Sequence, residues 1–78
     1  MEKFEISVTS NGKNHHFEVI DYMHHDGVQC KYEVFQNGQF IASFEPGEHK
    51  YLQICKNAGV MDEELLYKVA AQLESYHL

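Results

Sequence analysis

The chain has no arginine and no tryptophan among its 78 residues. Arginine is the usual fork for phosphate and for base edges, so its absence argues against a nucleic-acid partner. Twelve acidic residues stand against six lysines, and the resulting formal charge of −6 would repel a phosphate backbone. Arginine and tryptophan are also favoured anchors of protein interfaces, so any binding surface must be built from other residue types.

Proline occurs once, and no apolar run approaches the roughly 18 to 20 residues that cross a bilayer. The start, Met1-Glu2-Lys3-Phe4, alternates polar and apolar residues instead of forming a signal peptide. The expectation is a cytoplasmic protein with no membrane partner. Cysteine is scarce: Cys30 and Cys55 are the two thiols, too few for the framework that staples small secreted domains, and neither belongs to a C-x-x-C pair. Both are expected to be reduced packing residues, with a disulfide or a reactive thiol as the alternative.

What is present describes one ordinary globular domain over residues 1–78, with 44% hydrophobic and 23% charged residues. Asn11-Gly12, Asp26-Gly27 and Asn37-Gly38 each separate alternating apolar and polar segments, which is the short-range signature of hairpins. Strands are predicted over about residues 3–9, 14–22, 28–35 and 39–45. Residues 49–56 fit either a short helix or a fifth strand. The Pro46-Gly47 turn before them and Asn57-Ala58-Gly59 after them favour the strand.

Residues directly opposite in a strand pair must share a face, and this rule tests each turn. A two-residue loop at Asn11-Gly12 pairs Phe4 with Val19, Ile6 with Phe17 and Val8 with His15, apolar against apolar. The same loop at Asn37-Gly38 puts Phe40, Ala42 and Phe44 on the side of Lys31, Glu33 and Phe35. A three-residue loop, Gln36-Asn37-Gly38, is therefore expected, pairing Val34 with Phe40, Tyr32 with Ala42 and Cys30 with Phe44. Phe35 opposite Phe40 with Gln36 opposite Gln39 is the arrangement this reasoning excludes. Across the middle loop the same parity pairs Val19 with Cys30. One face is then core and the other wet, with Ile20, Phe35 and Ile41 scattered on the wet side.

The C-terminal segment supplies the cover. Asp62 is an N-cap, Glu63 and Glu64 suit the positive end of a helix, and Leu65, Leu66, Val69, Leu73 and Tyr76 form an apolar stripe over a helix of residues 62–75. The predicted fold is α+β, an antiparallel β-meander of four to five strands with a C-terminal helix packed on one face.

Signals of chemistry are sparse. Six histidines occur as His15-His16, His24-His25, His49 and His77. Adjacent strand residues point to opposite faces, so His15 and His16 cannot share an ion. His24, His25 and Asp26 could gather in a loop, yet no H-x-x-x-H or Cys/His spacing completes a site, and they are only weak metal candidates. His15 has no nucleophile beside it, and the carboxylates show no spacing that sets two across a cleft. No catalytic residue and no cofactor site is assigned. The leading expectation is a small non-enzymatic protein-interaction module, homodimeric in one version, using its sheet edges and an outer face with Ile20, Phe35, Ile41 and Leu52. The alternative is a small-ligand or metal-binding domain using the His24-His25-Asp26 loop.

Overall fold

The structure is a computed structural model that describes residues 2–22, 30–47 and 51–77, with side chains in the last helix described through Ser75. Five strands form one antiparallel sheet in sequential order: β1 (Glu2–Ser10), β2 (Lys13–Asp21), β3 (Tyr32–Gln36), β4 (Gln39–Pro46) and β5 (Leu52–Asn57). A helix, α1 (Glu63–His77), follows and covers one face. The meander and its cover are as expected, and residues 52–57 are the fifth strand.

The β1–β2 hairpin pairs Phe4 with Val19, Ile6 with Phe17 and Val8 with His15 around the two-residue Asn11-Gly12 loop. Asn11 and Gly12 have φ of 54° and 76°, the two successive left-handed residues that a tight turn matched to strand twist requires.

The second Asn-Gly loop corrects the sequence reading. Asn37 and Gly38 have φ of 52° and 80°, so both dipeptides make the same two-residue turn, with Gln36 opposite Gln39 and Phe35 opposite Phe40. Parity is restored inside the ladder. A bulge leaves Ile41 without a partner on β3, and beyond it Val34 faces Ala42 and Tyr32 faces Phe44. The demand that these four share the core face was sound, but the extra residue sits in β4 and not in the turn. Between β2 and β3 the register differs by four residues from the expected Val19–Cys30 pair: Val19 faces Val34 and Asp21 faces Tyr32. Four is even, so every side chain keeps its face.

The inner face carries Phe17, Val19, Val34, Ala42 and Phe44, all at most 1% exposed, and α1 places Leu66, Val69 and Leu73 against them. Asp62 Oδ1 accepts the N–H of Leu65 at 3.0 Å, the expected N-cap, and Met61 packs on the core just before it. The helix crosses the sheet and contacts both edge strands. Near its start Lys68 Nζ reaches Ser10 Oγ on β1 (3.3 Å), and further along Glu74 Oε2 accepts the N–H of Leu52 on β5 (3.0 Å).

A second correction concerns the cysteines. Cys30 and Cys55 form a disulfide with Cα atoms 6.2 Å apart, so they are not reduced packing residues. The physical reason is again a bulge: β5 carries Cys55 as an extra residue between the Ser43–Lys56 and Phe44–Ile54 pairs, which frees that side chain from the regular alternation.

Candidate interaction surfaces

The sites named from sequence are distributed unevenly. His24, His25 and Asp26 lie outside the described residues, as does His49. Among the described residues no three of His, Cys, Asp and Glu gather as metal ligands would. His15 stacks on Phe17 with ring centroids 6.2 Å apart, while His16 is exposed on the opposite face with its Nδ1 2.9 Å from Ser7 Oγ. Of the four apolar residues assigned to the outer face, Ile20 and Phe35 are half-buried there. Ile41 is not: the bulge leaves it 1% exposed and part of the core. Leu52 also packs on the core, because its pairing with Pro46 puts it on the face of Phe44 and Ile54.

The outer face holds an open cleft of about 190 Å³ lined by Lys3, Glu18, Ile20, Phe35 and Gly38. Phe40 meets Phe35 edge-on, with ring centroids 5.7 Å apart and planes at 71°. Glu5 and Glu18 are directly opposed, and Lys3 reaches across to Glu18 at 3.1 Å to offset the like charges. Face parity in the sequence expects Phe40 in the core, but its pairing with Phe35 across the two-residue turn places it on this face.

One end of the sheet carries a polar cluster. Lys31 Nζ bonds Asp21 Oδ1 at 2.7 Å, with the Asp21 side chain 7% exposed, and lies 5.0 Å from the centre of the Tyr32 ring. Tyr22 donates its hydroxyl to Glu33 Oε1 at 2.7 Å on the other face. Burial pushes the Tyr32 phenol above its ordinary pKa, with Lys31 opposing and Asp21 adding to the shift.

The two sheet edges differ. β5 is six residues long, bulged, tied by the disulfide at Cys55, and has the N–H of Leu52 taken by Glu74. Natural edges are commonly blunted in such ways. β1 is nine residues long with unbroken register and no proline, and among the described residues no backbone bond reaches its outer side. The two-residue loop makes Ser10–Lys13 the hydrogen-bonded pair next to the turn, and antiparallel bonding alternates from there. The N–H and C=O groups of Phe4, Ile6 and Val8 therefore face β2. Those of Lys3, Glu5, Ser7 and Thr9 face outward, and all four residues are exposed.

No family model, curated protein or solved structure matched the chain. The sequence reading pointed to sheet edges in general, but not to β1 in particular. The signal available was the length of the alternating run from Glu2 to Ser10 with a single lysine and no proline in it. Among the described residues no helix is long and apolar enough to cross a membrane.

Proposed function

We propose that this chain is a small non-enzymatic interaction module that binds by strand addition at the outer edge of β1. The observation that carries the reading is the open row of backbone groups at Lys3, Glu5, Ser7 and Thr9 on a long strand of unbroken register, while the opposite edge, β5, is blunted. Each exposed N–H and C=O there offers a hydrogen bond to an extended partner, and the alternating side chains supply selectivity. Among the described residues, the thiols are joined to each other and the Asp21 carboxylate is held by Lys31. That engagement supports a binding role over a catalytic one.

The disulfide bears on compartment. A cytoplasmic location suits reduced thiols, whereas a Cys30–Cys55 bond favours an oxidising one. Capture of partners from cell extract by the wild-type chain and by Ser7→Pro tests the binding mode. Proline at Ser7 removes an outward N–H and leaves the β2 ladder bonds in place, as edge strands tolerate. Partners held by the wild-type chain and lost by the variant are expected. An identical captured set would remove strand addition at β1 as the mode.

A further inference from the structure

The outer edge of β1 is complementary to itself, and we infer that its partner is the β1 of a second copy, paired antiparallel about a two-fold axis at Ile6. This inference rests on the strand-addition reading and names its occupant. For two identical antiparallel strands, opposed residue numbers have a constant sum, and outward groups must meet outward groups, so only even sums are allowed. Centring on Ile6 is the one choice that overlaps all nine residues of β1. It sets Lys3 opposite Thr9 of the second copy and Glu5 opposite Ser7, and these pairs use every outward N–H and C=O from Lys3 to Thr9.

The side chains agree with that register on both faces. On the inner side Phe4 meets Val8 and Ile6 meets Ile6, extending the apolar face of each sheet into the other. At the ends Ser10 meets Glu2. In each copy Lys68 Nζ lies 3.3 Å from Ser10 Oγ and 3.9 Å from Glu64 Oε1, so the exposed Glu2 of the second copy arrives beside a lysine from α1 that already has one carboxylate near it. The axis repeats this pair at the other end. On the outer side no like charges stand directly opposed, and the one unfavourable relation is Glu5 diagonal to its copy, about 7 Å away in such ladders. Centring instead on Glu5 opposes those two carboxylates directly and shortens the overlap to residues 2–8. The result is a continuous sheet of both copies with its β1 edges removed.

The register makes the test specific. Sedimentation equilibrium of the oxidised chain from micromolar to millimolar concentration is expected to show a reversible monomer–dimer equilibrium. Ser7→Pro is expected to be monomeric throughout that range with an unchanged circular dichroism spectrum. Glu2→Lys and Lys68→Glu are each expected to weaken the dimer by about tenfold, since each reverses one partner in both symmetry-related pairs. The double variant, with the charges exchanged, is expected to recover most of the loss. A wild-type chain that stays monomeric at millimolar concentration overturns the second copy as occupant. In that case Ser7-dependent capture of other proteins would still sustain strand addition, and its absence would remove both. A dimer indifferent to Ser7→Pro, or a double charge exchange that adds losses where recovery is expected, overturns the β1 pairing and its register.

Discussion

Tyr32 and Ser43 show how single side chains are set by their cross-strand surroundings. Tyr32 is 4% exposed and opposes Phe44, so its phenolate would be desolvated and its pKa lies above the ordinary value. The folded chain therefore holds the phenolic proton more tightly than the unfolded one. Its contribution is fully present below the unfolded pKa of about 10 and is lost as pH rises through the higher folded value, with a slope of up to about 1.4 kcal/mol per pH unit. Chemical denaturation between neutral and strongly alkaline pH is expected to show a steeper loss for the wild-type chain than for Tyr32→Phe above this point. Parallel curves would show that Tyr32 is not the group. Ser43, opposite Glu33 and Lys56, is 1% exposed and its Oγ has no hydrogen-bond partner among the described residues. Removing an unsatisfied buried hydroxyl is worth about 1 kcal/mol, so Ser43→Ala should raise the denaturation midpoint. A midpoint lowered by a similar amount would mean that the hydroxyl is bonded after all.

At the scale of elements, α1 closes the core through Leu66, Val69 and Leu73, each 0% exposed. Leu73→Ala is expected to cost about 2 to 5 kcal/mol in chemical denaturation, as large buried truncations do, and an unchanged midpoint would show that the helix does not cover the sheet. The helix was legible in sequence because its stripe, its Asp62 cap and its acidic first turn are all local signals. So was the β1–β2 hairpin, where turn chemistry and face parity agree. The Asn37-Gly38 hairpin was not, because parity says that an extra residue is needed and not where it goes. Placing it at Ile41 buries that isoleucine and sends Phe40 to the outer face, a choice made by tertiary packing and invisible to pairwise alternation. The Cys55 bulge is the same lesson, since a disulfide depends on spatial approach that residue spacing alone does not carry. Edges as binding surfaces were read from sequence, but the difference between β1 and β5 required the ladder.

For the molecule as a whole, the disulfide joins the residues leading into β3 to β5 across a separation of 25 residues. Closing a loop of that length lowers the entropy of the unfolded chain by an amount worth about 3.5 kcal/mol, a large share of the stability of so small a domain. Denatured protein without reductant should give no free thiol with a thiol reagent, and reduction should lower the denaturation midpoint sharply. Two titratable thiols in the unreduced protein would contradict the bond. The central claim is that the outer edge of β1 is open in the single chain and occupied when it binds. Amide hydrogen exchange along β1 tests it most directly, because neighbouring residues serve as their own controls. In dilute solution the amides of Phe4, Ile6 and Val8 should be protected, and those of Lys3, Glu5, Ser7 and Thr9 should exchange freely. On concentration the second set should become protected while the first is unchanged. Protection of Lys3, Glu5, Ser7 and Thr9 already at the lowest concentration, or free exchange of them at the highest, would contradict the account.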